Sequence, residues 1–306
     1  SAAQAPAGTV SAVFADDSER QGAYDFLESA HVPPRQLEAG LGQIVAEQCA
    51  QVGAVFVAVD GSSLTFVDRT GGRGLGAVGT YEAGACGLKV ITALALDVGG
   101  VPIGILRQVT WKRPIERPTR RRAAAQRPVE KKETRHWLEA VTDSVARVAA
   151  VDLHARATFL IDREGDSAAM LTTLAATGHG FIVRGNWDRQ VVLEDGRARK
   201  MRSALNHSRP LGAYDLELTP RPGRSGRTAR IELVSKRVTL RLKNPTTGAS
   251  DELQLTAVRA REIGTTPNGE PPIDWLLLTR MPAMTLAEAH AIVTAYTFRW
   301  RIEEFH

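Results

Sequence analysis

Two stretches of this chain carry almost no polar side chain, and each stops on an aspartate. Residues 52–59 (Val-Gly-Ala-Val-Phe-Val-Ala-Val) close on Asp60, and residues 157–161 (Ala-Thr-Phe-Leu-Ile) close on Asp162 within Asp162-Arg163-Glu164-Gly165-Asp166. Short, β-branched runs of this kind read as strands buried on both faces. Both aspartates are expected at strand ends. A fully buried strand that ends in an acid is one way to present oxygen ligands to a hard divalent cation. Any single Asp in such a place is more often a helix N-cap or a turn former. For Asp166, ahead of the helical run 167–177, the cap is the preferred reading.

A third carboxylate lies in Tyr296-Thr297-Phe298-Arg299-Trp300-Arg301-Ile302-Glu303-Glu304-Phe305-His306. At about 100° per residue of a single helix, Tyr296, Arg299 and Glu303 share an arc of about 60°, with Trp300 beside them. Phe298, Ile302 and Phe305 group on the far side. One face is suited to packing and the other to chemistry.

Together these residues resemble the cut-and-paste DDE transposases with the YREK signature, the Tn-five-like group of bacterial insertion sequences. The signature runs Tyr, two residues, Arg, three residues, Glu, six residues, Lys; Tyr296, Arg299 and Glu303 match, and the Lys would fall beyond His306. The resemblance continues in order through Gly22-Ala23-Tyr24-Asp25-Phe26-Leu27, Val59-Asp60-Gly61-Ser62-Ser63-Leu64, Gln108-Val109-Thr110-Trp111-Lys112-Arg113-Pro114, the Asp162 segment, Ile182-Val183-Arg184 and Asp274-Trp275-Leu276-Leu277-Leu278-Thr279. It spans about residues 18–306.

Three antiparallel strands followed by alternating helices and parallel strands predict an α/β fold of ribonuclease H-like order, a mixed sheet flanked by helices. The expected organisation is an N-terminal helical region, residues 1–50, and a catalytic core, residues 51–185 and 274–306. Between them, residues 186–273 turn to short alternating runs broken by Pro220, Pro222 and Gly223, and read as a β-rich insertion before the final helix. The Gly71-Gly72-Arg73-Gly74-Leu75-Gly76 cluster has no helix or Lys-Ser/Thr after it and reads as turns.

A net charge of +5 permits a polyanionic partner, and its distribution is more telling. Residues 107–135 hold eleven Lys or Arg against three Glu, with Arg120, Arg121 and Arg122 at the centre. Such a run is by default a solvated loop; beside a carboxylate site it fits phosphate contacts, which supply affinity rather than sequence choice. Cys49 and Cys86 have no zinc-like spacing and read as small buried hydrophobes. No apolar run approaches the roughly 20 residues that span a bilayer, so the expected location is cytoplasmic with no membrane partner; the resemblance implies a bacterial cell and association with its nucleoid.

The resemblance implies that Asp60, Asp162 and Glu303 are catalytic and hold two Mg²⁺ or Mn²⁺ ions, with Asp60 bridging. It implies nicking at a transposon end, hairpin formation, hairpin opening and strand transfer into target, all at one site on double-stranded DNA within a homodimer. Tyr296 and Arg299 would bind phosphates, or else simply pair on a helix surface. Trp275 would hold an unstacked base, or pack as a strand-start Trp. Trp300 would contact DNA or pack, and Arg184 would contact DNA nearby. Family members have longer regions at both ends, so the alternative expectation is a truncated, non-cutting DNA-binding or inhibitory relative. A third is a plain metal-dependent nuclease.

Overall fold

The computed structural model describes residues 9–80, 84–115, 129–151, 156–220, 225–243, 250–267 and 269–306. Helices α1 (Val10–Val13), α2 (Asp17–Glu28) and α3 (Pro34–Val52) lead in. Asp16 caps α2 by accepting the Ser18 and Glu19 amides. Pro34 opens α3, where its missing N–H would have had no partner in any case. Gly53, at φ 82°, ends that helix in a conformation open to glycine and turns the chain into the sheet.

Strands β1 (Ala54–Phe66), β2 (Gly76–Ala77), β3 (Cys86–Leu96) and β4 (Pro102–Trp111) come next, with β1, β2 and β4 all antiparallel to β3. Then follow α4 (Thr134–Val151), β5 (Arg156–Ile161), α5 (Ala168–Ala176) and β6 (Gly180–Arg184). Here β5 is parallel to β1 and β6 is parallel to β5. The chain continues through β7 (Gln190–Val192), β8 (Ala198–Lys200), α6 (Met201–Asn206), β9 (Gly212–Leu218), β10 (Arg227–Lys243), β11 (Ser250–Ile263) and β12 (Asp274–Thr279), and closes with α7 (Leu286–Thr297) and α8 (Trp300–Phe305).

Among the described residues all the strands join one mixed sheet in the order β2-β3-β1-β5-β6-β12-β11-β10-β7-β8, with β4 also on β3 and β9 on β10. The described residues within 186–273 are mainly strand, with one short helix among them, Met201–Asn206. Their long hairpin β10–β11 continues the same sheet through β12, which pairs antiparallel with β6. The fold is therefore α/β, with helices on both faces.

Alternation along each strand decides which face each side chain meets. Val55, Val57 and Val59 of β1, with Phe159 and Ile161 of β5, pack under Ala46 and Cys49 of α3, Ala140 and Val141 of α4, and Leu171 of α5. Leu160 and Ile182, of opposite parity, pack under Ala289, Ile292, Val293 and Tyr296 of α7. Ala58, with Leu94 and Leu96, packs under Ile302 of α8. Among the described residues no helix is long and apolar enough to cross a membrane.

Candidate active site

Parity puts Asp60 on the face covered by α7 and α8, two residues beyond Ala58, and Asp162 there too, two beyond Leu160. The strand-end expectation needs correction for Asp60, which lies within β1. That strand runs on to Phe66 because β3 goes on pairing with it as far as Phe66 opposite Cys86. What stops is the parallel neighbour: the β1–β5 register ends at Val59 opposite Ile161. Asp60 therefore sits where one flank of its strand opens. Asp162 does follow the end of β5, as expected.

The C-terminal segment is two helices rather than one. At Phe298 the hydrogen bonds tighten to three-residue spacing: Phe298 N to Ala295 O (3.1 Å), Arg299 N to Tyr296 O (3.1 Å), Arg301 N to Phe298 O (3.0 Å) and Ile302 N to Arg299 O (3.2 Å). In such a 3₁₀ turn, side chains at i and i+3 eclipse. Tyr296 and Arg299 are thus stacked toward the same point of the sheet. The ring of Phe298 holds the turn in place, packing on Phe56 with centroids 5.6 Å apart.

Arg299 is the hub. Its Nη1 donates to Asp60 Oδ2 and to Glu303 Oε1 (3.2 Å), its Nη2 donates to Glu303 Oε1 (3.2 Å), and its Nε lies 3.9 Å from Asp162 Oδ1. Tyr296 donates its hydroxyl to Asp162 Oδ1 (3.0 Å), and Arg184 Nη1 stands 3.9 Å from the same oxygen. The three expected carboxylates are gathered around one guanidinium that is only 4% exposed. Tyr296 (1% exposed) and Arg299 have carboxylates, not solvent, as their partners.

Burial lifts Asp60 to a pKa of about 6; Arg299 and the Gly61 amide oppose the shift, while Asp162 and Glu303 add to it. Burial works against the charge on Arg299, yet Tyr296 and the three carboxylates hold its pKa above the ordinary value. The Tyr296 hydroxyl is pushed up by burial and by Asp162, so it stays a donor.

Trp275, at the start of β12, meets Tyr296 edge-on (centroids 5.5 Å, 72°) and carries the Arg184 guanidinium 5.8 Å from its ring centre. Asp274 fastens that strand end through Arg259 (2.7 and 3.0 Å) and Arg202 (2.9 Å). Trp300 is exposed, with Arg299 5.5 Å from its ring centre. Arg120, Arg121 and Arg122 lie outside the described residues.

Asp166 does not cap a helix. Ser167 does, accepting the Met170 amide (3.1 Å), because its own backbone is extended and ready for that role. Asp166 is instead buried and holds the amide of Asn186 (2.7 Å) and the Arg189 guanidinium (2.7 Å), tying the turn after Asp162 to the loop after β6. Sequence reading assigned no role to Thr92, His306 or Asp274. The first left a signal: Thr92 is the lone polar residue in 90–96, and a polar side chain in a buried strand needs a partner.

Among the described residues no three His, Cys, Asp or Glu side chains are arranged to hold a metal ion as they stand. The donor chemistry nevertheless fits a hard divalent cation. It consists of three carboxylates, one on β1 and one just past the end of the adjacent β5, already gathered by a cation in the form of Arg299. The guanidinium stands in for the positive charge. Its Nε is buried without a hydrogen-bond partner, so Arg299 itself is incompletely satisfied there. The sequence matches no protein-family model.

Proposed function

We propose that this chain is the catalytic region of a DDE-type DNA transposase, with a ribonuclease H-like core, that cuts and joins phosphodiester bonds. The observation that carries this reading is the convergence of Asp60, Asp162 and Glu303, from three separate elements, on one buried guanidinium. The strand order β4-β3-β1-β5-β6, three antiparallel strands and then two parallel ones, supports the ribonuclease H-like assignment.

Asp60, Asp162 and Glu303 would hold two divalent ions, Mg²⁺ or Mn²⁺, which when bound supply an acidic water and positive charge for the phosphoryl oxygens. Arg299 has a planar fork of donors suited to a phosphate as well as to carboxylates. Tyr296 keeps its proton and orients Asp162. Trp275, with a cation over its ring and Tyr296 at its edge, offers a π-face where a base could stack. These residues beside the carboxylates favour a transposase over a plain nuclease. The implied partners are double-stranded DNA, as transposon ends and target, and a second copy of the protein; the implied location is the bacterial nucleoid.

The test is incubation with supercoiled plasmid and Mn²⁺, read as nicking on a gel, with DNA binding followed by mobility shift. Nicking is expected from the wild type and is expected to be lost in Asp60→Asn while binding persists. Equal nicking by both proteins would overturn the site assignment. Binding without nicking by the wild type would favour a non-cutting DNA-binding relative.

A further inference from the structure

We propose that Thr92, acting through His306, is the positioning residue for Glu303, fastening the last turn of α8 to β3 so that the carboxylate faces Asp60. This rests on reading Glu303 as the third carboxylate. The need for such a device follows from how α8 is seated on the sheet. Ile302 supplies one anchor, fully buried against Ala58, Leu94 and Leu96. One apolar anchor fixes where a helix lies but leaves it free to roll. The Glu303 pair with Arg299 does little to stop that, because the Glu303 side chain is 46% exposed and exposed pairs contribute weakly.

The second anchor is polar. His306 Nε2 lies 3.0 Å from Thr92 Oγ1. His306 follows Glu303 by three residues and so shares its side of the helix. Thr92 is fully buried and lies directly opposite Asp60 in the β1–β3 register. Its hydroxyl also accepts from Gln108 Nε2 (3.1 Å), from the residue opposite it on β4. Gln108 in turn donates its backbone N–H to Glu38 Oε1 of α3 (3.1 Å). With one lone pair taken by Gln108, the hydroxyl still has a proton and a second lone pair for the imidazole. Asp60, Thr92 and Gln108 thus form one row across three strands, and His306 hangs Glu303 from the middle of it.

The test uses Thr92→Val, which keeps the shape and removes the hydroxyl, Thr92→Ser, which restores it, and His306→Ala, which leaves the strand untouched. Three readouts apply: amide exchange of residues 300–306 in the metal-free protein, Mn²⁺ affinity by electron paramagnetic resonance, and plasmid nicking. Thr92→Val and His306→Ala are expected to speed exchange in α8 and to weaken Mn²⁺ binding about tenfold, the usual scale for partners behind a ligand. They should lower kcat for nicking with KM for plasmid unchanged, and Thr92→Ser should recover all three. Wild-type exchange and affinity in His306→Ala would overturn the proposal even if Thr92→Val fails to fold. If the wild type neither binds Mn²⁺ nor nicks DNA, the reading of Glu303 as a ligand fails and the positioning role with it. Exchange in α8 then shows separately whether the tether holds the helix.

Discussion

Replacing Arg299 by Met should make the metal-free protein less stable and its affinity for Mn²⁺ higher, because the guanidinium occupies the centre of the carboxylate group. The magnitude follows from exposure. Arg299 and Asp60 side chains are 5% and 13% exposed, whereas Glu303 is 46% exposed. Two unit charges about 4 Å apart interact by about 4 kcal/mol at an effective dielectric of about 20, while an exposed pair is worth about 0–1 kcal/mol. The Asp60 pair therefore dominates, and removing one member of a buried pair costs about 3–5 kcal/mol. Met fills the buried volume but offers no charge or donor, so a stability loss near the lower figure is expected.

For Mn²⁺ the sign reverses. In the wild type an arriving cation must either displace the guanidinium or tolerate its charge. A side chain can turn aside, so roughly half of the ~4 kcal/mol is felt, which corresponds to binding about 30-fold tighter in Arg299→Met. The assay is Mn²⁺ titration without DNA, followed by electron paramagnetic resonance, with melting temperatures taken in parallel. Mn²⁺ should restore much of the lost stability, since a ligand bound only by the folded state stabilises it by mass action. Unchanged or weaker Mn²⁺ binding in a variant with a native circular dichroism spectrum would show that Arg299 supports the cation site rather than competing for it.

Two further outcomes follow from the same geometry. A carboxyl raised to about 6 binds its proton more tightly in the folded than in the unfolded chain, so the stabilising effect of that proton is complete below about pH 4 and lost as pH rises to about 6; Asp60→Asn should therefore gain stability relative to wild type across that window in urea titrations, and a flat difference from pH 4 to 7 would contradict it. Gly100→Ala should destabilise by about 1–3 kcal/mol and speed exchange in α8, since Gly100 has φ 79° and an added Cβ would stand 2.5 Å from Phe298 Cδ1; unchanged exchange in α8 would show that Phe298 does not set the helix break.

The parts of this fold legible in the sequence are those decided locally. Residues 52–59 and 157–161 announce buried strands because nothing polar in them needs water, and β1 and β5 lie there. Tyr296, Arg299 and Glu303 could be placed together because three- and four-residue spacings bring side chains to one side of either helix type. The illegible parts depend on distant partners. Whether β1 stops at Asp60 is decided by β3, some thirty residues later in the chain, which keeps pairing to Phe66. The break at Phe298 is set by Phe56 and the Gly100 turn, neither near it in sequence. Asp166 and Ser167 are both good caps by residue type, and Asn186 and Arg189 decide between them. That residues 186–273 extend the core sheet follows from β12 pairing with β6, an edge choice with no local signal.

The placement of the charge has a single cause in the register of the sheet. β1 has a neighbour on each side up to Val59, and from Asp60 onward it keeps only β3. A buried carboxylate is costly unless paired, and Asp60 meets its partner, Arg299, at the point where β5 no longer flanks β1. Alternation then selects the face. Ala58 and Leu160 admit Ile302 and α7 on that side, while Val59 and Ile161 close the other side under α4 and α5. Moving Asp60 by one residue would turn it toward Trp137, which already lies 3.4 Å from where a Cβ on Gly61 would stand. The glycine after the aspartate is thus part of the same arrangement: bulk is excluded beneath the strand, and acid is presented above it.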